Sequence, residues 1–166
     1  EGIGPGGRVE GVEPGGGAWT GRAATPTARD GVGVAVVGDE LYAVGGGSRD
    51  SSGPVATVEV FDPASGAWTA MAPMPTARDG LGVTVVGDQL YAVGGWNGIR
   101  PVAALGVFGP SSSAFAASSP MPPARPDLGV AVVGDPLYAV GGAHGSCRGP
   151  AAPRERFDLS TAPATA

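Results

Sequence analysis

One segment of 21 residues occurs three times in this chain, and this repetition limits the accessible folds more than any other feature. Residues 75–95 read PTARDGLGVTVVGDQLYAVGG; residues 26–46 match them at 18 of 21 positions and residues 122–142 at 16 of 21. The copies begin 49 and 47 residues apart. A period of this length indicates one supersecondary unit per copy, with each unit stacked on its neighbours.

Each copy contains two short apolar runs that predict a β-hairpin. In the middle copy these runs are residues 81–86 and 89–93, and the Gly87-Asp88 pair between them suits a two-residue turn with positive φ. Neither face of the first run carries a charge, so we expect both faces to be covered by neighbouring sheets. The equivalent glycines, which suit a crowded site near a central axis, are Gly33, Gly82 and Gly129.

Two further strands are predicted after the first hairpin. Residues 58–61 read VEVF and residues 67–69 read AWT, and the segment DPASG between them favours a turn. The pattern therefore predicts four antiparallel strands per unit. The second unit keeps this order, with Phe115 in place of Trp68, and the third unit is predicted to lack the last strand.

The composition and charge exclude several classes of function. A hydrophobic fraction of 42% with three clear strand patterns excludes wholesale disorder. The net charge of −5, with arginine as the only strong base, argues against a nucleic-acid partner. One cysteine, Cys147, permits no internal disulfide, and no apolar run approaches the ~20 residues of a membrane span. We expect neither a nucleic-acid nor a membrane partner, and the cytoplasm is the default compartment.

The motifs PTARDG, LYAVGG, VEVFDP and AWT stand in one order at a near-constant period, and in this the chain resembles the kelch repeat family from about Trp19 to Asp158. The resemblance implies an all-β fold, a kelch-type β-propeller arc of about three four-stranded antiparallel blades. Because such propellers usually have six or seven blades, two arrangements are expected. One is a fragment of a longer ring, and the other is a homodimer that closes a six-bladed ring by exchanging the Trp19 strand.

The repeats predict the following division of the chain. Residues 1–17 form a flexible Gly-rich lead-in, residues 18–159 the propeller segment and residues 160–166 a tail. Within the propeller segment the predicted parts are an outer strand of a preceding blade at 18–25, blade 1 at 26–73, blade 2 at 74–121 and an incomplete blade 3 at 122–159. Aromatic residues expected in the core are Trp19, Trp68, Phe115, Tyr42, Tyr91 and Tyr138.

The resemblance also implies a partner-binding face, formed by the segments before the inner strands and by the loops after the double glycines. The arginines of the first group are Arg29, Arg78 and Arg125, and the loop candidates are Arg49, Trp96, Asn97, Arg100 and His144. Trp96 has no counterpart in the other units, and aromatic residues exposed on loops are frequent interface anchors. The three arginines have a structural alternative, in which they pair with Asp30, Asp79 and backbone carbonyls to tie blades together.

No residue pattern predicts a cofactor, a metal site or a catalytic group. His144 and Cys147 are three residues apart, but two ligands do not make a closed zinc site. The expected function is a non-catalytic protein-interaction module of the kelch type, with the substrate receptor of a ubiquitin ligase as one such role. The alternative is a kelch-type sugar-active enzyme, such as a sialic acid mutarotase or a carbohydrate oxidase. Copper chemistry would need more than the one histidine present.

Overall fold

The computed structural model describes residues 7–12, 15–50, 52–144, 149–150 and 154–157, and for 144, 149–150 and 154–157 it describes the backbone. The described residues form β-strands, turns and loops, and no helix is found among them. The strands are β1 (Glu10–Gly11), β2 (Thr20–Gly21), β3 (Arg29–Asp30), β4 (Gly33–Val37), β5 (Glu40–Val44), β6 (Gly47–Ser48), β7 (Gly53–Pro54), β8 (Val58–Asp62), β9 (Ala67–Met71), β10 (Gly82–Val86), β11 (Gln89–Val93), β12 (Leu105–Gly109), β13 (Ala114–Ser118), β14 (Leu128–Val132), β15 (Leu137–Gly141), β16 (Ala143–His144), β17 (Gly149–Pro150) and β18 (Arg154–Phe157).

Three larger antiparallel sheets correspond to the three repeats, and we call them blades. Blade 1 has the strand order β4-β5-β8-β9, blade 2 has β10-β11-β12-β13, and blade 3 has β14-β15-β18 in the described part of the chain. Strands β6-β7 and β16-β17 form small hairpins in the loops that follow the double glycines, and β3, which precedes β4, pairs with β6. The predicted all-β fold with four-stranded antiparallel blades is confirmed for the first two repeats.

The predicted hairpins lie within a residue of their expected bounds. In blade 2 the first strand begins at Gly82 rather than at Leu81, and the second spans Gln89–Val93 as predicted. Gly87 has φ = 61° in the turn between them, a left-handed conformation that costs glycine little because it has no Cβ. The Gly-Asp sequence therefore fixes where each chain reversal occurs.

Blade 2 lies between the other two, and an apolar core fills each interface. Strand β10 contacts both β4 and β14. Between blades 1 and 2, Tyr42 packs on Phe108 with ring centroids 5.9 Å apart. Between blades 2 and 3, Tyr91 is buried in one cluster with Leu128 and Leu137. The hairpins are apolar on both faces because each blade covers its neighbour.

The segment before blade 1 departs from its prediction. Thr20–Gly21 pairs with Glu10–Gly11, so part of the predicted flexible lead-in forms a ladder, and the segment around Trp19 does not extend a described blade. Trp19 is 67% exposed, which contradicts its predicted place in the core. The equivalent residue of blade 1, Trp68, packs on Phe61 with ring centroids 5.2 Å apart. Trp19 has no such aromatic partner among the described residues, and its ring is therefore exposed.

Tyr138 is half-buried, whereas Tyr42 and Tyr91 are buried as predicted. The reason lies in its position, since blade 3 has a described neighbour on only one side. The domain boundaries as a whole stay a prediction.

Candidate functional site

The arginine that precedes the inner strand of each repeat is buried. Arg29, Arg78 and Arg125 are 8%, 2% and 0% exposed, respectively. Each backbone lies at the end of its blade where the loops after the double glycines also lie, but each side chain extends into the blade. An arginine is rarely buried unless its donors are satisfied, so the partners of these guanidinium groups define their role.

Arg78 binds main-chain oxygens of its own blade. Its Nη1 donates to the carbonyl oxygens of Gly94 at 2.9 Å, Ala104 at 3.0 Å and Ala92 at 3.3 Å. Ala92 lies in β11, Gly94 directly follows β11, and Ala104 directly precedes β12. Burial lowers the pKa of Arg78 to about 10, so the group is still protonated at neutral pH.

Arg29 makes the equivalent contacts and adds a buried carboxylate. Its guanidinium donates to the carbonyl oxygens of Thr57 and Ala43 and, at 2.9 Å, to Oε2 of Glu59, which also accepts a hydrogen bond from Thr27 Oγ1. Burial lowers the pKa of Arg29, and the Glu59 charge opposes that shift. Glu59 was not among the predicted residues. The signal that could have found it is an acid inside the apolar run VEVF of a blade covered on both faces.

The burial of these arginines does not agree with the prediction that they contact a partner. Arg125 donates from Nη2 to the carbonyl oxygen of Ala139 at 3.2 Å, so it too binds its own blade. The alternative prediction, in which the arginines bind backbone carbonyls and aspartates, agrees with the observed carbonyl contacts. Its acidic partner differs, because the buried ion pair is made by Glu59 and not by Asp30 or Asp79.

The backbones of the same arginines join neighbouring blades. Gly46 N donates to Arg78 O at 2.8 Å, and Gly95 N donates to Arg125 O at 3.1 Å. Gly45, with φ = 63°, lies so close that an added Cβ would be 2.5 Å from Arg78 O. The double glycine therefore recurs because the backbone of the next blade occupies the space of a side chain.

One aspartate from each repeat lies near the junctions between the blades, close in sequence to these arginines. The three are Asp30, Asp79 and Asp127. Burial raises the pKa of Asp79, and the charges of Asp127 and Asp30 raise it further. Inter-blade hydrogen bonds hold the row, with Gly80 N donating to Gly31 O at 3.1 Å and Asp127 N donating to Gly80 O at 2.7 Å. Within the described residues, no group of three or more His, Cys, Asp or Glu side chains is arranged to hold a metal ion.

The loop after the second double glycine is held in one shape by its own hydrogen bonds. The backbone of Trp96 bridges to Asp79 and to Pro101, and Asn97 Oδ1 accepts the backbone N–H groups of Ile99 at 3.0 Å and Arg100 at 2.9 Å. Trp96 and Asn97 are half-buried, Arg100 is exposed, and Ile99 is 82% exposed. Ile99 is a surface residue that the sequence-based prediction omitted.

The corresponding loop of blade 1 lies beside it. Arg49 is exposed at the tip of the β6-β7 hairpin, next to Asp50, whose carboxylate accepts hydrogen bonds from Ser48 and Ser52 that lower its pKa to about 2. Gly98 approaches Pro54 so closely that an added Cβ would lie 3.3 Å from Pro54 Cδ. We call residues 47–50, 52–54 and 96–101 together the loop face.

The loop after the third double glycine is described only in part. The backbone of His144 pairs with Gly149 in β16-β17, but the His144 side chain and Cys147 lie outside the described residues. In the described part of the chain, no helix has the length and hydropathy needed to cross a membrane.

Comparison with known proteins identifies the repeats. The family model of the Kelch motif matches residues 28–75 and 77–104, which contain blade 1, the inner hairpin of blade 2 and the loop face. A search of curated proteins gave no match. The matched segments begin at equivalent positions beside Arg29 and Arg78, and they include the double glycines that dock on the next blade. This chain therefore contains kelch repeats, at residues 28–75 and 77–104.

Proposed function

We propose that this chain is a non-catalytic interaction module that binds a protein or peptide through the loop face. Kelch repeats in general mediate protein–protein interactions, and the matched segments include both loops of this face. The observation that carries the proposal is the exposed side chain of Ile99 on a loop whose backbone is fixed by Asn97 and Trp96. An apolar group held in this way loses little conformational freedom when a partner covers it.

The residues of the loop face have the composition of a small binding site. Its apolar residues are Ile99 and the half-buried Trp96, and its exposed arginines are Arg49 and Arg100. Protein interfaces combine an apolar core with a polar rim, and Trp and Arg are enriched at the positions that dominate affinity. A partner that inserts an apolar side chain beside Ile99 fits this arrangement. The role of substrate receptor of a ubiquitin ligase is part of the proposal, because it requires such a face.

The sugar-active alternative gains no support from the arginines. A sugar site in the central channel would use arginines and carboxylates, but Arg29 and Arg78 donate to carbonyl oxygens inside their own blades. Incubation of the pure protein with sialic acid or galactosides, followed by optical rotation, tests this alternative. A catalysed change in rotation would contradict the non-catalytic module.

Peptide selection tests the proposed face directly. Peptides are selected from a random display library on the wild-type chain, and their dissociation constants are measured for Ile99→Ala, for Trp96→Ala and for a control, Asp88→Asn. The control lies in the hairpin turn at the opposite end of blade 2. We expect each loop variant to lose about 2 kcal/mol of binding free energy and the control to lose none. Peptides that bind both loop variants as tightly as the wild type would contradict the proposal.

A further inference from the structure

The two blade interfaces of this chain use the same contact. Gly33 of blade 1 faces Val83 of blade 2, and an added Cβ at Gly33 would overlap Val83 Cγ2. Gly82 of blade 2 faces Val130 of blade 3 in the same way, with an added Cβ 2.6 Å from Val130 Cγ1. Each interface therefore seats a valine of one blade in the gap left by a glycine of the preceding blade.

The outer face of blade 3 carries the same gap, and no described residue occupies it. Gly129 is the third equivalent glycine, and the nearest described atom to an added Cβ is Val140 O at 3.8 Å. Val140 on the same face is 50% exposed, although its equivalents Val44 and Val93 are 0% and 2% exposed. We call this face, with Gly129, Ala131, Tyr138 and Val140, the glycine face.

The outer face of blade 1 carries the complementary valines. Val34 is the equivalent of Val83 and Val130, and it is 49% exposed. Val36, two residues along the same strand and so on the same side of β4, is 56% exposed. We call the surface formed by these two residues the valine face. Exposed apolar surface of this kind marks an interaction site when it is contiguous.

We propose that the valine face of one copy of this chain packs on the glycine face of a second copy. The glycine face and the valine face repeat the register of the two blade interfaces already formed within the chain. The two faces are therefore complementary to each other. A head-to-tail contact of this type is heterologous, and it gives a closed assembly when the rotation between copies completes a ring. Two arcs of three blades make six, which lies within the range of 4–8 blades that propellers use.

The proposed interface consists of blade faces alone. It needs no exchange of the Trp19 strand, because Thr20–Gly21 already pairs with Glu10–Gly11. It also lies on blade faces rather than on the loop face, so failure of the peptide-binding proposal would leave it unaffected. The partner is a second copy because each outer face requires the other, and one chain presents both.

Sedimentation velocity of the full chain tests the proposal. We expect the wild type to sediment as a discrete dimer and Gly129→Val to sediment as a monomer. The new side chain is accommodated in the single chain, where the nearest described atom is at ordinary contact distance, but it fills the gap that Val34 of another copy would enter. The double variant Val34→Asp/Val36→Asp should also be monomeric, because it places two charges on the valine face.

A matched control and a mixing experiment separate this interface from other modes of association. Ile99→Asp places a charge at a residue that is 82% exposed on the loop face, and it should remain dimeric. Equal amounts of Gly129→Val and Val34→Asp/Val36→Asp should form a weaker 1:1 complex, since one intact face of each kind is present. Circular dichroism establishes that every variant retains β-structure.

Three outcomes would overturn the proposal. The first is a wild-type chain that is a folded monomer, which would mean that its outer faces do not recognise each other. The second is a Gly129→Val chain that is folded and still dimeric, which would place the contact elsewhere. The third is a wild-type assembly larger than a dimer, which would show that the head-to-tail contact does not close with two copies.

Discussion

Replacement of Arg29 by methionine tests the role assigned to the buried arginines. The substitution keeps most of the apolar stem and removes every donor of the guanidinium. It leaves Glu59 buried at 2% exposure with a hydrogen bond from Thr27 Oγ1 but without its cation. Removal of one partner of a buried ion pair costs about 3–5 kcal/mol, because the remaining charge has lost both solvent and counter-charge. We expect Arg29→Met to lower the free energy of unfolding by about that amount.

Removal of the Glu59 carboxylate should cost less free energy of unfolding than removal of the Arg29 guanidinium, and blade 2 supplies the reason. Gly106 takes the position of Glu59 there, opposite Ala92 as Glu59 is opposite Ala43. Arg78 is nevertheless fully buried with neutral acceptors alone. A guanidinium in this fold therefore tolerates the loss of the carboxylate, so Glu59→Gln should lower the free energy of unfolding by only about 1–2 kcal/mol.

Urea denaturation at pH 7, followed by circular dichroism at one protein concentration, measures these differences. The double variant Arg29→Met/Glu59→Gln completes a cycle, and its loss should be smaller than the sum of the single losses by about 2 kcal/mol. Arg78→Met is the comparison without an acidic partner. The reasoning would be refuted if Glu59→Gln were as destabilising as Arg29→Met, or if the two effects were additive.

Three further predictions use other contacts. Burial and neighbouring charges raise the pKa of Asp79, so its ionised form opposes folding; Asp79→Asn should raise the thermal midpoint at pH 7, and this gain should vanish as pH falls through the raised pKa towards the ordinary value of 3.8. An equal gain at pH 3 would contradict this sign. Gly33→Ala should cost about 1–3 kcal/mol in urea titrations because its Cβ overlaps Val83, whereas Gly129→Ala should not destabilise the single chain. Asn97→Ala removes the acceptor for two backbone N–H groups, so hydrogen exchange in residues 98–100 should become faster; unchanged exchange would show that the loop does not depend on Asn97.

The strands were predictable from sequence because their signals are local. The turn at Gly87 and the apolar run before it fix the hairpin within a residue, and the repeat transfers that assignment to the other copies. The four-stranded blade followed from the same local patterns. These features depend on alternation and turn chemistry, which a single strand pair already expresses.

The burial of individual residues was less predictable because it depends on what lies beside each blade. Tyr138 and Val140 have the same local sequence as Tyr91 and Val93, yet they are more exposed because, among the described residues, only the latter pair is covered by a following blade. Trp19 has the same neighbours in sequence as Trp68 and a different environment. A repeated motif specifies a face, and the adjacent unit determines whether that face is buried.

The arginines show why repeated and non-repeated residues have different roles in this fold. Beside the end of β11, the guanidinium of Arg78 donates to three main-chain carbonyl oxygens from one side chain. The arginines of all three repeats donate to main-chain carbonyl oxygens of their own blades, and a guanidinium used inside the blade is withdrawn from partners. In the proposed function, specific recognition then comes from residues outside this repeated contact. On the loop face of blade 2 those are Ile99 and Arg100, which stand on a backbone fixed by Asn97 and leave their side chains exposed.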